Sequence, residues 1–119
     1  MTAIEKNRNY KNYKNLKKNY KILKNSKNIN GKKFKIIEIP MPKPLYVNNT
    51  KVPASYLNFY IANKIVLLPV FNDKNDKKAL LIFKKFFKSR KIIPIDCSEL
   101  IWGFGAIHCM TQQEPSVST

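Results

Sequence analysis

The sequence predicts an α/β fold, and three observations carry that expectation. Apolar residues gather into short runs such as FKIIEIP and KIIPID, bounded by turn-forming residues. Two other stretches repeat apolar residues at steps of three and four, the period of an amphipathic helix. The order along the chain, after a first helix, is strand, hairpin, helix, strand, strand.

Residues 1–9 read as an exposed lead-in. Tyr10, Tyr13, Leu16, Tyr20 and Leu23 then mark one helix face, with Lys and Asn filling the other. The asparagines weaken helix propensity, so this element needs packing to persist. Gly31 fits a turn before a strand at Phe34–Pro40. Pro40, Pro42 and Pro44 make MPKPLYV an extended connection. Two strands follow, Tyr56–Ala62 and Ile65–Val70, turning at Asn63 and Lys64; asparagine tolerates the left-handed conformation of tight hairpins.

Asp73 is the expected N-cap of a second helix, and Asp76 favours its positive end. Ala79, Ile82, Phe83, Phe86 and Phe87 should face the core. Lys91–Asp96 reads as a strand, SELIW as a turn or short helix, and Ala106–Thr111 as a last strand. The polar end EPSVST reads as frayed.

A hydrophobic fraction of 44% over 119 residues is enough for one modest domain with a core. Net charge is +16, and the first 35 residues hold eleven lysines and one arginine against one glutamate. Such a balance raises nucleic acid as a partner. Lysine outnumbers arginine by 21 to 2, whereas nucleic-acid sites favour arginine for bidentate contacts. Lysine with asparagine on solvated faces is also what an AT-rich coding sequence yields. The three-and-four spacing of the tyrosines favours a buried helix face over base stacking. Nucleic acid is therefore the weaker reading.

Cys97 and Cys109 are twelve positions apart, with no CxxC and a single histidine, which argues against structural zinc. The start MTAIEKNRNYKN has no signal-peptide core, and no run approaches the ~20 apolar residues of a membrane span. The expectation is a cytoplasmic chain with free thiols and no membrane partner.

The stretch GFGAIHCMTQQEP holds Gly103, Gly105, His108 and Cys109. A cysteine after a glycine-rich turn is a plausible nucleophile, since glycines let a substrate approach the backbone and the thiolate attacks. A small buried apolar side chain is the other reading. On a strand His108 would point away from Cys109 and serve as a packed structural residue. Cys97 reads as buried, beside an Asp96 whose charge opposes thiolate formation.

The same stretch, IHCMTQQEP, closely resembles the nucleophile strand of agmatine deiminases, relatives of the bacterial-type peptidylarginine deiminases. PASYLNFYIAN, LLPVFNDKNDKKAL and IDCSELIWGFGAIHC resemble that family's C-terminal third in order and spacing, and FKIIEIPMPKP the strand and link before it. The resemblance implies a partial pentein α/β propeller of about one to one and a half ββαβ units. Residues 1–115 would be the C-terminal portion of the catalytic domain and 116–119 a tail. It implies Cys109 as nucleophile and Gly103 and Gly105 as substrate-binding backbone, with no metal and no cofactor. Phe104 and Ala106 stand where the family often has smaller or more polar residues.

The implied reaction converts agmatine to N-carbamoylputrescine and ammonia through a covalent cysteine intermediate. The family's histidine and carboxylates lie on earlier units with no counterpart in these 119 residues. The expected partners are thus agmatine or another guanidine and a chain carrying those units, with no activity from this chain alone. An exposed apolar flank should follow. The alternatives are a small basic nucleic-acid-binding protein and a non-catalytic remnant.

Overall fold

The computed structural model describes residues 1–116; residues 117–119, most of the expected tail, lie outside the described residues. Seven short strands and two α-helices follow one another as β1 (Thr2–Ile4), α1 (Asn12–Asn25), β2 (Glu38–Pro40), β3 (Leu45–Val47), β4 (Thr50–Val52), β5 (Tyr60–Ile61), β6 (Ile65–Val70), α2 (Asp76–Phe86) and β7 (Lys91–Asp96). Two 3₁₀ turns close the order, Leu100–Gly103 and His108–Met110. The α/β class is as the sequence predicts.

The largest sheet has the order β5-β6-β7. β5 and β6 form the expected antiparallel hairpin, and β6 runs parallel to β7 from Ile65↔Lys91 to Val70↔Asp96. A parallel pair needs a crossover, and α2 supplies it. Burial drives that packing: Val66, Leu68, Ala79, Phe83 and Ile92 lie in one core cluster. Phe59 meets Phe83 edge to face at 4.8 Å, and Phe83 stacks on Phe87 at 5.7 Å. Phe86, expected in the core, is exposed; it lies beside the Lys35 and Lys85 ammonium groups instead.

The start of α2 shows why the two aspartates are there. Asp73 Oδ1 accepts from the Asn75 N–H at 2.8 Å, and Asp76 Oδ2 accepts from the Asp73 N–H at 2.9 Å. The N-cap position itself is Asn75, with no side-chain cap, so Asp73, expected there, instead closes a turn just ahead of the helix. Asp76 Oδ1 also accepts from the buried Tyr56 hydroxyl at 2.6 Å. Both carboxylates are structural.

The lead-in is not loose. β1 pairs with β2 in parallel, Ala3 opposite Ile39, and both are buried. This pairing also limits the expected strand 34–40: β1 offers three partners, so only Glu38–Pro40 joins a ladder and Phe34 is exposed. Helix α1 forms over most of the predicted stretch, leaving Tyr10 two residues ahead of its start, and packs on β1. Tyr13, Leu16, Tyr20 and Leu23 are its half-buried side, and none of its residues is fully buried.

The proline-rich connection hides a second hairpin, β3-β4. Its two-residue turn, Asn48 and Asn49, has φ of 47° and 63°, the mirror-image turn that hairpins favour. At the other hairpin neither Asn63 nor Lys64 has positive φ, so the conformational reason for Asn63 does not apply. Gly31 does use its freedom, at φ 73°.

Two further expectations are corrected. Of the strand 56–62, only Tyr60 and Ile61 pair; Ser55–Asn58 is a turn, with the Asn58 N–H donating to the Ser55 carbonyl. The last strand, 106–111, is absent. Ala106 and Ile107 are buried side by side and His108, Cys109 and Met110 are all exposed, a pattern a strand's alternation does not allow. A 3₁₀ turn fits it.

Candidate active site

That turn overturns the geometric argument against His108. The residue is exposed rather than packed, and it lines a cavity of about 300 Å³ with Ser55, Leu57 and Asn58. Cys109 is exposed beside it on the same turn. Cys97 is fully buried, with burial first and the Asp96 charge second pushing its thiol up. The two cysteines thus divide as the sequence indicates.

Asn58 makes Cys109 chemically distinct. Its Nδ2 donates to Sγ at 2.9 Å, and its Oδ1 accepts from the Cys109 N–H at 3.2 Å. Its carbonyl accepts from the His108 N–H at 3.2 Å. The backbone N–H fixes which way the amide faces, because only Oδ1 can accept it; Nδ2 is left to the sulfur. A donor aimed at sulfur favours the charged form. The Asn58 side chain, then the Ala106 backbone, hold the Cys109 thiol below its ordinary range, against a smaller opposing effect of burial.

Gly105 is the floor of this arrangement. A Cβ there would stand 2.8 Å from Cys109 Cβ and 3.2 Å from Sγ. Gly103 is different: a Cβ there would meet nothing within 4 Å, and its φ is not in the left-handed range. Phe104 between them takes φ 61° and ψ 18° and closes the preceding 3₁₀ turn with its N–H on the Ile101 carbonyl. Trp102, Phe104 and Met110 are all large, apolar and exposed.

Three aspartates are engaged away from the thiol. Asp73 and Asp76 order the turn that leads into α2, and Asp96 accepts from Ser98 and from Asn72. Ser98 first, then Asn72, hold the Asp96 carboxyl low. Among the described residues no cluster of three or more His, Cys, Asp or Glu could hold a metal. Sequence reasoning missed Asn58 because its partner lies 51 residues away. The one local signal was an asparagine inside an otherwise apolar run, YLNFYI.

The fold and this thiol define the class: an α/β unit presenting a donor-held, exposed cysteine. Residues 1–115 match the model of the Porphyromonas-type peptidyl-arginine deiminases, and the chain belongs to that family. It is 36% identical over 116 residues to a "putative agmatine deiminase" of Legionella pneumophila strain Paris, covering 97% of this chain and 34% of that one. It is 32% identical to an agmatine deiminase of Medicago truncatula, over 88% of this chain and 33% of the relative. The solved agmatine deiminase of Enterococcus faecalis superposes with a TM-score of 0.85 at 29% identity, over 95% of this chain and 36% of that one. The chain therefore spans about a third of the length of the relatives it matches. Among the described residues no helix is long and apolar enough to cross a membrane.

Proposed function

We propose that this chain supplies the nucleophile-bearing part of an amidine hydrolase that converts agmatine to N-carbamoylputrescine and ammonia. It corresponds to a C-terminal portion of a pentein propeller, about one to one and a half units over residues 1–115. The observation that carries the reading is the Asn58 amide clasping an exposed Cys109. An exposed thiol whose charged form is favoured, beside a glycine floor, suits attack on a planar carbon.

Cys109 sulfur bonds to the guanidinium carbon and the C–N bond to the departing nitrogen breaks. Ammonia leaves with a proton, and an amidino thioether remains. Water adds to the same carbon, the C–S bond breaks, and the ureido product leaves. Gly103 and Gly105 flank the substrate with backbone groups. Binding a cationic plane and moving these protons calls for carboxylates and an acid–base group. On this reading they come from segments like the two thirds of the relatives that this chain does not span. Agmatine is the favoured substrate because the relatives matched by sequence carry that name.

The test is product release from agmatine by the chain alone, and mixed with a polypeptide equivalent to a relative's remaining two thirds. Activity in the mixture that Cys109→Ala abolishes is the expected result. A mixture that forms a stable complex yet releases no ammonia would leave the chain a non-catalytic remnant.

A further inference from the structure

Phe104 sits in a left-handed conformation that suits glycine and is costly for a bulky residue. The glycine before it makes no use of that freedom. The ring gives little back to the fold: Phe104 is 57% exposed and Trp102 is 61% exposed. Neither backbone geometry nor packing accounts for an aromatic residue at this position. Its neighbour does. Gly105 lies directly against Cys109, so Phe104 is one peptide step, about 3.8 Å between Cα atoms, from the residue that touches the thiol. Strain kept at an exposed residue one step from a contact with a reactive group points to function.

We propose that Phe104 is a specificity-determining residue that offers an aromatic face to the planar cation attacked by Cys109. A ring's negative face attracts a guanidinium or amidinium and is indifferent to a neutral amide of the same shape. The inference rests on Cys109 as the nucleophile toward guanidines. It adds a selection for cations that does not depend on carboxylates.

The experiment uses the 119-residue chain and two alkylating reagents, a 2-haloacetamidine and the matching neutral 2-haloacetamide. In both, the thiolate displaces halide and forms a C–S bond. Mass spectrometry reads modification at Cys109, with buried Cys97 as internal control. The ratio of cationic to neutral rate should fall roughly two- to fivefold in Phe104→Gly and Phe104→Leu, with the neutral rate unchanged. Phe104→Gly should also raise Tm. An unchanged ratio in Phe104→Gly overturns the inference. So does a Phe104→Leu chain that keeps the full ratio, since bulk alone would then suffice. A lower Tm in Phe104→Gly also overturns it, because packing would explain the ring. No turnover is needed: a ratio change in a chain that never supports agmatine hydrolysis would sink the hydrolase reading while leaving cation selection standing.

Discussion

Asn58 and Cys109 hold each other at two points, amide nitrogen to sulfur and amide oxygen to backbone N–H, across 51 residues of sequence. The side chain that positions the thiol is therefore also the one that favours its charged form. Replacing Asn58 with Ala removes both contacts. The midpoint of Cys109 alkylation against pH should move upward, toward an ordinary thiol. A profile that does not move would show that Asn58 has no hold on the sulfur.

The same shift has a consequence for stability. Cys109 is depressed in the folded state, so its contribution is present above the thiol's unfolded pKa. It is lost as pH falls through the folded value. The difference in urea midpoint between the parent chain and Cys109→Ala should widen from neutral to alkaline pH. A difference that narrows instead would contradict the sign.

The two glycines should separate cleanly. Gly105→Ala drives a methyl group into Cys109 Cβ, and overpacking of this kind costs about 1–3 kcal/mol. Gly103→Ala meets open space and should be neutral or stabilising by about 0.5 kcal/mol. Chemical denaturation of both variants gives the comparison, and equal losses would remove Gly105's special place.

Tyr56 is fully buried with its hydroxyl on Asp76, and burial first, then that carboxylate, push its phenol upward. A raised folded pKa stabilises below the unfolded value of 10.0 and fails as pH rises past it. Tyr56→Phe should cost about 2 kcal/mol at neutral pH. It should also flatten the alkaline loss of stability above pH 10. A parent chain as steady at pH 11 as at pH 8 would contradict this.

The β3-β4 turn offers a check far from the thiol. Asn49 has φ 63°, which a β-branched residue tolerates poorly. Asn49→Val should cost about 1–2 kcal/mol and Asn49→Gly should stabilise. Thermal melts of the two variants should move in opposite directions.

Much of this frame was legible where the signal is local. The three-and-four repeat gave α1 and α2, and the bounded apolar runs gave β6 and β7, because periodicity and turn residues act within a few positions. What escaped depends on distant partners. β1 reads as an exposed lead-in until Ile39 is placed beside Ala3. Three prolines masked a hairpin whose turn was spelled by Asn48 and Asn49. The stretch around Cys109 showed a reactive residue type but not its conformation. Consecutive burial of Ala106 and Ile107 turned an expected strand into a 3₁₀ turn. That change brought His108 to the surface and left Cys109 to Asn58.

The parallel pairing of Thr2 with Glu38 also sets a timetable for synthesis. A ribosome makes β1 first, yet its partner emerges only after all of α1 and the Gly31 turn have been added. At 5–20 residues per second the delay is on the order of a few seconds. For that interval β1 lacks its β2 partner, and only α1 is available in this segment to pack on it. Nascent chains stalled while Ile39 is still inside the ribosome should therefore be the ones that cling to chaperones, and those stalled once Ile39 has emerged should let go.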